Sequence, residues 1–170
     1  VYMFVEKKGD EDNILYIGCS GHIEDGKPVS RKKHGLRGRV YGKQEKTPRD
    51  QFYKKVMKDK EIEGLKVYWF DTGDGDPEYI EYCCILRYIA KKGEFPEFNN
   101  KLERKINKAI KDSDSVTNSK QQKRKNMKID KDYEDILGKI EIKGCLDFTL
   151  DSKLRELSKQ IPENIYGVYM

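Results

Sequence analysis

Two short apolar runs at the start of the chain constrain its fold more than any other feature. VYMFV, Val1 to Val5, and ILYIG, Ile14 to Gly18, are separated by a charged stretch that contains Gly9, Asp10, Asp12 and Asn13. Apolar runs of that length bounded by turn residues are strands, and two of them around one polar turn make a hairpin. Leu65 to Thr72 alternates and is rich in β-branched and aromatic residues, which predicts a third strand.

Helices are expected between and after these strands. Leu36 and Val40 in GLRGRVYGKQ have near-helical spacing, although Gly38 and Gly42 shorten the element. TPRDQFYKKVMKD predicts a helix with Thr47 as N-cap, Pro48 at the first position, and Phe52, Val56 and Met57 on its apolar face. Asp76 and Pro77 open a longer helix in which Ile80, Cys83, Cys84, Tyr88 and Ile89 face inward. FPEFNN ends it, and KLERKINKAIKD begins another. The order predicts an α+β fold, a small three-stranded antiparallel sheet flanked by helices over residues 1–100.

Residues 19–35 show little periodicity and read as an exposed loop. Residues 101–170 read as a basic, partly helical C-terminal extension, with 112–128 a mobile linker almost free of apolar residues. A partly apolar segment around Tyr133 to Ile142, a helix in DSKLRELSKQ and a strand-like NIYGVYM complete the chain.

Charge is segregated along the sequence. Residues 27–48 carry eight basic side chains against one acid, and residues 101–130 carry ten against four, within a net charge of +5. Such segregation is the footprint of a polyanion-binding face, and of a lysine-rich solvated surface as well. No stretch approaches the roughly 18 apolar residues of a membrane span, so no membrane partner and an intracellular, cytoplasmic or nuclear, location are expected. Cys19, Cys83, Cys84 and Cys145 lack CxxC spacing, and with only His22 and His34 as imidazoles they read as small buried hydrophobes rather than a zinc site. The two histidines sit in the basic loop, where a phosphate contact and plain exposure are both open.

Five short motifs in order resemble the GIY-YIG endonucleases. Val1-Tyr2 stands where the family has Gly-Ile-Tyr, without the glycine, and Tyr16-Ile17-Gly18 stands in full. LRGRV, Leu36 to Val40, resembles the family's arginine segment and puts Arg39 at its arginine, with Arg37 the alternative. Lys43 stands where the family has His or Tyr. EYCCILRYI resembles the helix that carries a glutamate, here Glu81, and Pro96-Glu97-Phe98-Asn99 resembles the Pro-x-aromatic-Asn ending. Gly167-Val168-Tyr169 resembles the first motif too. The far end is therefore a truncated second repeat, an additional strand of the sheet, or a sign that Val1 is not the natural start; Tyr2 or Tyr169 holds the first-motif position.

The resemblance implies a DNA partner and a site of Tyr2, Tyr16, Arg39, Lys43, Glu81 and Asn99 that hydrolyses a phosphodiester bond. In it Glu81 holds one Mg²⁺ (or Mn²⁺), a hard cation that takes oxygen ligands and keeps several waters. Arg39 donates its fork to a phosphate oxygen, and a tyrosine receives the proton of the attacking water. A free phenol titrates near pH ~10, so nearby cations, Lys43 among them, must favour the phenolate. Asn99 is expected to tie its loop to the site. The alternative is a catalytically inactive nucleic-acid-binding module on the same scaffold.

Overall fold

The computed structural model describes residues 2–8, 11–30, 35–73, 75–101, 103–104, 142–162 and 168–169. In chain order its elements are β1 (Tyr2–Lys8), β2 (Glu11–Cys19), β3 (Gly21–Glu24), β4 (Lys27–Ser30), α1 (Gly35–Val40), β5 (Lys43–Gln44) and β6 (Thr47–Pro48). Then follow α2 (Arg49–Asp59), β7 (Gly64–Trp69), α3 (Pro77–Lys92), β8 (Gly144–Thr149), α4 (Leu154–Leu157) with a 3₁₀ turn at Ser158–Gln160, and β9 (Val168–Tyr169). The class is α+β with antiparallel sheets.

The three expected strands lie side by side. β1 pairs with β2, with Tyr2 opposite Gly18 and Phe4 opposite Tyr16, and on its other edge with β7. Two further strands extend them, giving the order β8-β7-β1-β2-β9 among the described residues. Residues from both sides of the expected boundary near 100 therefore share one sheet. In β8 only Leu146 and Phe148 turn inward, opposite Val67 and Leu65, too short an alternation to stand out in the sequence. β9 is an additional strand on β2, pairing Tyr169 with Gly18 and Val168 with Cys19.

Residues 21–30 are a hairpin rather than a loop. Asp25 and Gly26 both have positive φ (50° and 74°), the conformation that joins two strands through a two-residue turn, so the Asp-Gly pair was its signal. The helix expected to have Thr47 as N-cap starts one residue later. Thr47 and Pro48 pair with Gln44 and Lys43 in a small ribbon, and α2 begins at Arg49 with no side-chain cap. α3 begins as read: the Asp76 carboxylate accepts from the N–H of Glu78 (2.9 Å) and Tyr79 (3.4 Å), with Pro77 in the first turn. Ile80, Cys83, Cys84 and Tyr88 are buried along it, and Ile89 packs on the core.

The core is one cluster. Tyr53 of α2 stacks on Phe4 of β1 at 3.9 Å between centroids, and α3 packs along β2. Cys19, Cys83 and Cys84 are buried as expected, whereas Cys145 sits on the outward side of β8 and is exposed. Segments 105–141 and 163–167, which include the expected linker, and His34 lie outside the described residues. No helix among those described is long and apolar enough to cross a membrane.

Candidate active site

A cleft of about 480 Å³ opens where the end of β2, α1, the β5–β6 ribbon, the start of α2 and the first turns of α3 meet. Tyr16, Arg39, Lys43, Glu81 and Asn99 line it, five of the six residues singled out in the sequence. They come from four elements and one loop, and sequence separation says nothing of that convergence.

Tyr16 reaches the cleft because β2 leaves room for it. A Cβ on Gly18 would stand 2.6 Å from Tyr16 Cε1 and 2.8 Å from Tyr2 Cζ, so glycine alone lets both rings lie over that strand. The two rings are 5.6 Å apart and tilted by 42°. Tyr2 is fully buried and is not among the lining residues. Its hydroxyl has no hydrogen bond of ordinary geometry among the described residues.

The cation on the Tyr16 ring is not Lys43, which is exposed, but Arg49. The Arg49 guanidinium lies 5.0 Å from the Tyr16 centroid and 5.1 Å from that of Tyr2. Its attraction does not prevail. Burial, reinforced by Tyr2, raises the Tyr16 phenol well above its ordinary value, with Arg49 offsetting only part. The expected cation-favoured phenolate gives way to a neutral phenol, because desolvation is the larger effect.

Arg39 closes the last turn of α1, and its Nε donates to the Cys19 carbonyl at 3.0 Å, which fixes the guanidinium at the end of β2. Arg37, two residues earlier, points elsewhere. It donates to the carbonyls of Ile161 (2.7 and 3.1 Å) and Lys159 (3.2 Å), tying α1 to the segment after α4. Of the two arginines, Arg39 is the one that lines the cleft.

Glu81 projects from the second turn of α3. Burial pushes its carboxyl above the ordinary range, partly offset by the neighbouring Cys19 thiol and by Arg39. Glu78, one turn earlier, is exposed on the same cleft. Among the described residues no three His, Cys, Asp or Glu side chains cluster as a closed metal cage. One deep carboxylate with open space around it suits a hard divalent ion that keeps most of its waters.

Asn99 does what the sequence suggested. Its Oδ1 accepts from Ile17 N–H (3.0 Å) and its Nδ2 donates to Ile17 C=O (2.8 Å), while Phe98 N–H donates to Leu15 C=O (2.9 Å). The Pro96–Asn99 loop thereby occupies the β2 edge where β9 stops, which protects it.

Among the cleft residues that sequence reading did not assign to the site are Cys19, Gln44 and Arg49. Gln44 is buried, donates to Phe98 C=O (3.3 Å), and accepts from Arg49 Nε (3.3 Å) and Nη2 (3.1 Å). Arg49 also donates to the Arg39 carbonyl. A signal for Arg49 existed: positions 49, 53 and 56 recur at helical spacing, so the face that buries Tyr53 and Val56 carries Arg49 with it.

No family model, curated protein or solved structure matches the chain. The functional reading therefore stands on the cleft.

Proposed function

We propose that the chain is a Mg²⁺-dependent DNA endonuclease that hydrolyses a phosphodiester bond, on the pattern of the GIY-YIG nucleases its motifs resemble. The observation that carries the reading is the convergence of Tyr16, Arg39, Lys43, Glu81 and Asn99 on one cleft. Residues matched motif by motif over more than eighty positions have no reason to meet unless the matched elements pack as that pattern requires. The antiparallel pairing of the three central strands, with α3 packed along β2, supports that reading.

In this reading Arg39 donates to a non-bridging phosphate oxygen, where its charge counters the charge that develops during attack. Tyr16 receives the proton of the attacking water in its phenolate form, after its own proton has gone to solvent, and because burial raises the phenol that form is scarce near neutrality and the cleavage rate rises with pH while the protein stays folded. Lys43, at the rim, adds positive charge for the strand. Asn99 holds the loop that walls the cleft. Glu81 would hold Mg²⁺ or Mn²⁺, which when bound supplies a Lewis acid for charge on the departing oxygen.

Incubation of supercoiled plasmid with the protein and Mg²⁺, beside Glu81→Ala and Arg39→Ala, tests the reading. Nicking by the wild type that is lost in both variants is expected, and nicking that persists in both sinks the site. Salt-sensitive DNA binding with no nicking under any divalent metal favours the inactive binding module.

A further inference from the structure

Arg49 is the most unusual side chain in the molecule. It is 4 % exposed, yet among the described residues its hydrogen bonds go to the Gln44 amide oxygen and one backbone carbonyl, none of them to a carboxylate. The remaining shell is aromatic: the faces of Tyr2, Tyr16 and, at 6.0 Å, Phe4. Burying a cation is costly unless it is paired, and carbonyl dipoles and ring faces compensate only part of its charge. A methionine or leucine would fill the same space without that cost. The charge is therefore kept for a purpose that packing does not supply.

A guanidinium has five N–H donors; among the described residues Nε, Nη1 and Nη2 each commit one and the Tyr2 hydroxyl engages a further one, so one remains. Arg49 lines the cleft, and the fork is held from behind by Gln44, which is itself anchored on the Phe98 carbonyl. A pre-positioned, water-poor cation with a spare donor at a cleft wall is suited to a tetrahedral oxyanion.

We propose that Arg49 is a second phosphate-binding residue of the cleft, separate from Arg39, and that it takes a backbone phosphate of the nucleic acid. The identity of the polymer rests on the nuclease reading; the affinity for phosphate does not.

Two measurements on the full chain in EDTA test this. In the first, binding of a short DNA duplex is followed from low to moderate salt for wild type, Arg49→Lys and Arg49→Gln, each checked for folding by circular dichroism. Each phosphate contact contributes about 0.9 to the slope of log affinity against log salt for duplex DNA, so Arg49→Gln is expected to flatten the slope by about one while Arg49→Lys retains most of it. In the second, the Arg49 Nε–Hε resonance of wild type is followed during titration with inorganic phosphate, and a saturable shift is expected. An unchanged slope in folded Arg49→Gln overturns the proposal, as does an Arg49 resonance indifferent to phosphate. If Arg49→Gln does not fold, the resonance decides alone. A phosphate-responsive Arg49 in a protein that binds no DNA supports the anion site and sinks the nuclease reading instead.

Discussion

Replacing Asn99 with alanine tests how the cleft is held together. The amide spans the N–H and C=O of Ile17, a residue 1 % exposed in the middle of the sheet. Alanine leaves both backbone groups buried without partners. Each orphaned group costs about 1–3 kcal/mol, so the loss is about 2–6 kcal/mol, the lower end applying if a water enters the hole. At roughly 2–4 °C per kcal/mol for a chain of this size, the melting midpoint falls by about 4–24 °C. The control is Glu97→Ala two residues away, which breaks the exposed 2.6 Å ion pair with Lys60 and should cost less than about 1 kcal/mol. Thermal unfolding by circular dichroism, with urea unfolding to confirm an unchanged slope, reads both variants. An Asn99→Ala midpoint no lower than that of Glu97→Ala would refute the clamp.

Three further outcomes follow from the same geometry. Gly18→Ala drives a Cβ into both tyrosine rings and should cost about 1–3 kcal/mol, with a changed near-ultraviolet circular dichroism spectrum as the sign that Tyr2 and Tyr16 have moved. The Asp50 carboxylate accepts from Leu154 N–H at 2.7 Å and so caps α4, whose own N-cap residue offers no side-chain bond. Asp50→Ala should therefore cost about 1–2 kcal/mol, read as faster amide exchange at Leu154. Because burial raises the Glu81 carboxyl, the folded state binds that proton more tightly than the unfolded chain does. Its contribution is unfavourable above the folded value and fades as pH falls towards the unfolded one. Glu81→Gln is then expected to stabilise the protein in EDTA at about pH 7 and to lose that advantage near pH ~4, as compared by urea midpoints.

Much of the fold was legible because its signals are local. The Asp76–Pro77 start of α3, the apolar runs of β1, β2 and β7, and the Leu36–Val40 spacing of α1 each depend on residues a few positions apart. What escaped was short or polar. The β3–β4 hairpin hid among charged residues with only Asp25–Gly26 to mark it, and β8 offered just two inward side chains. The β5–β6 ribbon claimed Thr47 and Pro48, which local propensity assigned to a helix start.

The candidate site divides the same way. By itself the sequence determined which residue types were present in which order: a tyrosine before Ile17-Gly18, an arginine after Leu36, a glutamate on an amphipathic helix, an asparagine after a proline. Tertiary structure alone decided their environments. It turned Arg37 to the carbonyls near Ile161 and Arg39 to the cleft, buried Tyr2 beneath Tyr16, and set a guanidinium rather than an ammonium against the phenols. The physical reason is that burial and electrostatic pairing are sums over neighbours in space. For Arg49 those neighbours are β1, β2 and Gln44, and none of them is visible from its own stretch of sequence.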